Sequence, residues 1–120
     1  MPIPVFARER FNDTNVDVEQ GDRLLITARG EWIDAYIEAG PEGFRRWWLT
    51  PVGWTRRYPE ARWFELVAVV GKNGGPYFRI GSCGEFTATK SGRAYLFAND
   101  TWFKYGNNKG QLEAEVTKLA

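Results

Sequence analysis

The chain has 120 residues, 43% hydrophobic and 26% charged, with a formal net charge of +1. This length suits one domain spanning 1–120, and the near-zero charge excludes a global pull toward nucleic acid or insertion into an anionic membrane. The chain has no histidine and one cysteine, Cys83, which excludes an internal disulfide, a Ser-His catalytic pair and the commonest zinc ligand.

No run of about eighteen apolar residues exists, so no membrane-spanning helix is expected. The start Met1-Pro2-Ile3-Pro4-Val5-Phe6-Ala7-Arg8 lacks the basic-then-apolar order of a signal peptide. A cytoplasmic protein, or one exported without a signal peptide, is expected. The aromatic share is high, 16% with six tryptophans, and supplies apolar material for a single core.

In chain order, residues 4–10 predict a first edge strand, since early prolines suit an edge. Residues 15–19 alternate polar and apolar, the period of a half-buried strand. Asp13-x-Asn15-x-Asp17 has the opening spacing of a calcium loop of the helix-loop-helix type. Val18 stands where that loop needs glycine and Leu24 where it needs glutamate. The acidic positions are therefore read as the wet face of a strand. Residues 23–30 predict a strand rich in β-formers, continuing past a bend at Gly30 toward Tyr36.

Residues 37–62 are the least regular, broken by Gly40-Pro41, Gly43, Pro51, Gly53 and Pro59. They hold Trp47, Trp48 and Trp54 and the arginines Arg45, Arg46, Arg56, Arg57 and Arg62. The arginines are expected on a solvated loop. The tryptophans, with Tyr58, are expected to pack in the core or between subunits, or to form an apolar platform for a ligand. Residues 63–70 are nearly all apolar and predict a strand buried on both faces. Residues 71–76 read as a hairpin connection, followed by short strands at 77–80, 85–88 and 93–97 and a closing strand at 111–118. Cys83 is expected to be small filling between strands, buried or half-buried. No stretch has sustained helical spacing, and short strands between Gly-rich turns predict an all-β sandwich.

The most informative segment lies between the last two strands: Phe97-Ala98-Asn99-Asp100-Thr101-Trp102-Phe103-Lys104-Tyr105-Gly106-Asn107-Asn108-Lys109-Gly110. Asp100, Asn107 and Asn108 present oxygen donors, the ligand type calcium takes from carboxylates, amide and backbone carbonyls and water. A turn capped by its own Asn and Asp side chains uses the same residues. Composition leaves both readings open.

Asn99-Asp100, a short insert, and Tyr105-Gly106-Asn107-Asn108-x-Gly110 resemble the calcium loop of the PA-IL-type galactophilic bacterial lectins. The likeness extends to Gly30-x-Trp32, Gly71-Lys72-x-Gly74 and Phe86-Thr87-x-x-x-x-Gly92-x-x-Tyr95-Leu96, so it runs through the whole chain. It matches residues 37–62 only loosely. The resemblance implies a jelly-roll-like, galactose-binding-domain-like β-sandwich in which calcium holds galactose or a related sugar through two hydroxyls. It implies a metal set of Asp100, Asn107 and Asn108 side chains with the backbone carbonyls of Tyr36 and Lys104. It further implies sugar contacts from Tyr36, Tyr58, Glu60, Asp100, Thr101, Asn107 and Asn108. Two departures stand out. The insert 101–104 is bulkier and more basic than in the family, and Tyr58-Pro59-Glu60-Ala61 replaces a His-Pro-acid-Gln stretch.

A monosaccharide buries few atoms, so affinity per site is expected to be on the order of micromolar to millimolar. Avidity then calls for a homo-oligomer. The alternative from another class is a non-catalytic interaction or oligomerisation module that uses the Trp/Arg-rich loop 44–63. Glu60 with Glu65, or Asp34 with Glu38, could pair as acid and base. Nothing in their spacing demands it, and no enzyme is expected.

Overall fold

The computed structural model describes residues 2–34, 37–44, 56–100 and 105–119. Ten strands run through them: β1 (Ile3–Phe6), β2 (Asn12–Val18), β3 (Arg23–Asp34), β4 (Ile37–Ala39), β5 (Glu42–Phe44), β6 (Trp63–Val70), β7 (Tyr77–Arg79), β8 (Cys83–Thr87), β9 (Gly92–Ala98) and β10 (Asn108–Leu119). A 3₁₀ turn, Tyr105–Asn107, leads into β10. Among the described residues there is no α-helix, and so none long and apolar enough to cross a membrane.

The strands form two antiparallel sheets packed as a β-sandwich, the all-β class the strand spacing predicts. In the first sheet the order is β1-β10-β3. The far edge of β3 is divided, with β8 along residues 23–27 and β4 along residues 32–34. In the second sheet the order is β2-β9-β6. The far edge of β6 is likewise divided, between β7 along residues 67–69 and β5 at Trp63 and Glu65.

Burial follows the pattern of the residues. Leu112 and Ala114 of β10 face the core and their neighbours Glu113 and Glu115 face water. β6 is buried at every position. Phe64, Leu66, Ala68 and Val70 enter the main core, whereas Val67 and Val69 join Phe97 and Ala61 in a second cluster on the other face. Burial on both faces explains its unbroken apolar run. Trp32 is fully buried, edge-on to Phe64 at 5.7 Å, and its indole N–H donates to the Phe64 carbonyl at 3.2 Å. The polar end of the largest core side chain is thus satisfied.

Three local expectations change. β1 ends at Phe6 rather than near Arg10, because the chain turns there: after a last bond from Ala7 N–H to the Gly110 carbonyl at 3.1 Å, Glu9 N–H returns to the Phe6 carbonyl at 3.2 Å. On the other edge of β1 the buried Asn12 amide accepts from the Phe6 N–H at 2.8 Å and donates to the Phe6 carbonyl at 3.1 Å. β2 carries a bulge between Asp13 and Asp17, where Asn15 has φ 61° and its N–H donates to Asp13 Oδ1 at 2.7 Å. Asp13 and Asp17 are exposed and both bind Arg93 of β9, at 3.0 and 2.7 Å, as a strand's wet face should. Cys83 is exposed rather than buried. It points outward from β8, while Phe86 of the same strand points in.

Residues 37–44, where the breakers suggested no regular structure, hold β4 and β5. Pro41 accepts at its carbonyl from Leu66 N–H, 2.9 Å away, and the turn at Gly40 brings β5 against β6. Gly43 has φ 75°, and a Cβ there would lie 2.3 Å from the Trp63 carbonyl oxygen and 2.6 Å from Glu65 N. Backbone, not a yielding side chain, fills the space. Gly43→Ala is therefore expected to cost about 2–4 kcal/mol of stability. Gly21→Ala, at φ 96° but facing open space, is expected to cost about 1 kcal/mol. Urea unfolding of the two variants checks the difference.

Candidate metal and ligand site between β9 and β10

β9 delivers Asn99 and Asp100, and β10 starts at Asn108, eight residues beyond Asp100. The first residue of β10 pairs with the last of β3, Asn108 opposite Asp34. Asn108 belongs to a strand of the well-packed sheets, and Asp100 follows the end of β9 by two residues, so rigid elements position both. Tyr36, Thr101 and Lys104 lie outside the described residues. So do residues 45–55, with Trp47, Trp48 and Trp54 and much of the Trp/Arg-rich loop 44–63. Asn107 closes the 3₁₀ turn; its side chain also lies outside the description.

Asn99 is fully buried. Its Oδ1 accepts from Tyr58 N–H at 3.0 Å, and its Nδ2 donates to the carbonyls of Tyr58 and Arg62, each at 2.9 Å. Its own N–H donates to the Glu65 carbonyl at 3.1 Å, and its carbonyl accepts from Phe64 N–H at 2.8 Å. Phe64 has φ 59°, unusual for a side chain of that size. That local twist aims its N–H at Asn99 while its carbonyl takes the Trp32 indole. Asn99 is therefore a fastener for the 58–65 segment, a role its place in the motif does not reveal.

Asp100 is 3% exposed, as is Asn108. The Asn108 amide nitrogen donates to Asp100 Oδ2 at 3.1 Å and to the Ala7 carbonyl at 3.0 Å. With two oxygens facing the nitrogen, the amide cannot be turned around without setting oxygen against oxygen. Its Oδ1 is then buried with no hydrogen-bond partner among the described residues. An orphaned acceptor of this kind carries a desolvation penalty. It lies on the amide that touches a buried carboxylate. Among the described residues no three His, Cys, Asp or Glu side chains come together. A cation here would rest on one carboxylate with amide and backbone oxygens, a donor set that fits calcium and not a thiolate- or imidazole-seeking metal.

Residues 58–61 lie beside this point. Tyr58 is held through both backbone groups by Asn99, and Ala61 N–H returns to the Tyr58 carbonyl at 3.0 Å. Pro59 and Glu60 sit exposed at the corner of that turn. The Tyr58 ring is half-buried, 5.7 Å from that of Tyr77. The tertiary structure thus brings Asp100, Asn108 and the Tyr58 turn together. Glu65 takes no part in an acid–base pair with Glu60. Its two oxygens accept from Arg79 Nε and Nη2, both at 2.9 Å, and Arg62 N–H adds a bond at 3.0 Å.

Arg57 corrects the expectation of a solvated arginine loop, being only 7% exposed. Its N–H donates to the Asp100 carbonyl at 3.1 Å. Its Nη1 donates to the Arg10 carbonyl at 2.6 Å and to the Tyr105 hydroxyl at 2.9 Å. The guanidinium carbon lies 3.4 Å from the Phe97 ring centre and 4.8 Å from that of Phe11, contacts that favour a desolvated cation. Tyr105, 1% exposed, donates its hydroxyl to the Ala98 carbonyl. Burial pushes its pKa up to about 12, with Arg57 opposing.

No protein-family model matches the chain, and no curated protein matches it. Among solved structures it is similar to the N-terminal domain of EclA, described as a PllA-like lectin. The TM-score is 0.73 over 98% of this chain and 95% of that one, at 19% sequence identity. At that identity the likeness is one of fold. The class thus defined is a small two-sheet β-sandwich with the fold of a lectin domain.

Replacing Asn99 with alanine strands backbone groups of Tyr58 and Arg62 that water reaches poorly. Asn99→Ala is expected to lose about 3 kcal/mol in urea unfolding. Amide hydrogen exchange should quicken at Tyr58 in particular.

Proposed function

We propose that the chain is a calcium-dependent carbohydrate-binding lectin that takes galactose or a related sugar through two hydroxyls. The observation that carries this reading is the orphaned Oδ1 of Asn108, buried on the amide that touches the Asp100 carboxylate. The similarity in fold to a PllA-like lectin domain supports it. The metal set in this reading is Asp100, Asn107 and Asn108 through side chains, with Tyr36 and Lys104 through backbone carbonyls. Bound calcium would supply attraction for two sugar hydroxyl oxygens, leaving their protons to be accepted.

The residues of the chain do the rest. Asp100 accepts a hydroxyl proton in a charge-assisted bond, the stronger kind. Asn108, its amide nitrogen already committed to Ala7 and Asp100, contributes oxygen without having to reorganise. Tyr36, Thr101 and Asn107 complete the sugar contacts. Tyr58 and Glu60 flank the sugar from their turn, which Asn99 ties to the same loop. Because Tyr58 stands where the family's stretch has histidine and Ala61 where it has glutamine, with Glu60 keeping the acid, this turn is where preference among galactose-like sugars is set. The copies of the chain assemble as a homo-oligomer, so that weak single sites act together.

Three measurements test this. Calcium at about 100 times its Kd should add about 2.7 kcal/mol of stability, reversed by a chelator. Asp100→Asn should weaken calcium binding ~100-fold or more in calorimetry, since it removes the carboxylate charge. Galactose-bearing glycans should be retained with calcium and released with EDTA. Equal retention in both would sink the mechanism.

A further inference from the structure

We infer that Arg57 and Tyr105 form a clamp that presets the loop for its ion, making them positioning residues for metal affinity. This rests on the calcium reading above and adds two residues to it, neither of which is a ligand.

The loop leaves the sandwich at Ala98 and returns at Tyr105. Both residues are buried, at 0% and 1% exposure. The Tyr105 hydroxyl donates to the Ala98 carbonyl, so its side chain closes the neck across which the two ends of the loop face each other. Arg57 Nη1 donates to the same hydroxyl. With the Arg57 donor arriving and the Ala98 acceptor waiting, the phenol proton is fixed toward Ala98. Arg57 also holds Asp100 by a backbone bond and the N-terminal segment through the Arg10 carbonyl. That segment carries Ala7, whose carbonyl orients the Asn108 amide. One residue thus touches the segments on which Asp100 and Asn108 depend, its main chain holding Asp100 and its guanidinium the Arg10 carbonyl and the Tyr105 hydroxyl.

The clamp has a physical consequence for binding. Bringing a carboxylate and an amide oxygen to one point costs loop entropy, and that cost is met at folding if the neck is already shut. With the neck open, the same cost appears at metal binding and lowers affinity. Arg57 does this without contributing a negative charge, and the Tyr105 hydroxyl lies between its guanidinium and the Ala98 carbonyl. It is a cation that organises a cation site through hydrogen bonds to neutral oxygens.

The test is calcium titration of the whole chain by calorimetry, with terbium luminescence as a second probe of the same ion site. Tyr105→Phe keeps the ring and removes the hydroxyl. It is expected to weaken calcium about tenfold, the factor that corresponds to one well-placed hydrogen bond. Arg57→Met is expected to give a similar loss, and the double variant no more than the worse single one, because the two act through one contact. Thr14→Val is the control. It removes a buried hydroxyl bond of 2.8 Å to the Ala94 carbonyl, within the β2–β9 pairing, so it should lower the melting temperature and leave the calcium Kd unchanged. In the metal-free protein, exchange at Asn99 and Asp100 should quicken in Tyr105→Phe and not in Thr14→Val. A calcium Kd unchanged in both Tyr105→Phe and Arg57→Met overturns the clamp and leaves the calcium reading standing. A wild-type chain that takes up no calcium overturns both.

Discussion

Five hydrogen bonds to one buried residue, Asn99, hold the irregular part of this molecule to its regular part. Strands satisfy their backbone groups in the ladder. The segment 56–62 has no such ladder and still runs against a buried surface, so its N–H and carbonyl groups need partners of another kind. Asn99 provides three of them with one amide, while its own main chain is bonded to Phe64 and Glu65 of β6. In consequence Ala61 and Tyr58 are held against the outer face of the second sheet. There they cover Val67, Val69 and Phe97, which would otherwise be open to water. The second core cluster exists because a polar side chain secures its lid.

The two residues of the Asn99-Asp100 pair point to opposite duties. Asn99 makes its bonds inward and is complete. Asp100 and Asn108 meet each other, and the Asn108 amide keeps one oxygen without a hydrogen-bond partner among the described residues. Native interiors rarely leave such an atom alone, so the incomplete residue and the complete one are told apart by their hydrogen bonds and not by residue type. The neighbouring charge has a similar logic. Arg57 is buried among Phe11, Phe97 and Tyr105 and bonds to a carbonyl and a phenol. Ring faces and neutral oxygens contribute to its stability there.

Much of the sandwich was legible beforehand, for reasons that are local. The alternation in β10, the two-faced apolar run of β6 and the Gly-rich connection after it each reflect how one strand meets its own two faces. That oxygen-bearing residues crowd into a few positions between the last two strands was legible too. What stayed hidden depends on neighbours far along the chain. The short β4 and β5 exist because β3 and β6 each leave half an edge open, and Gly43 is required because it takes a positive φ with β6 backbone lying against it. Cys83 faces outward because of its register beside Thr27.

By itself, then, the chain's order of residues determined the class of fold, the long central strands and the crowding of oxygen donors between the last two strands. These are set by side-chain period and donor chemistry, which are properties of contiguous residues. Tertiary structure alone decided that Asn99 fastens while Asn108 retains an unsatisfied oxygen, and that Arg57 is buried beneath the loop instead of solvated beside it. Those outcomes turn on which carbonyls arrive from residues 7, 10, 58, 62 and 98. A hydrogen bond between distant segments leaves no mark on the spacing of either.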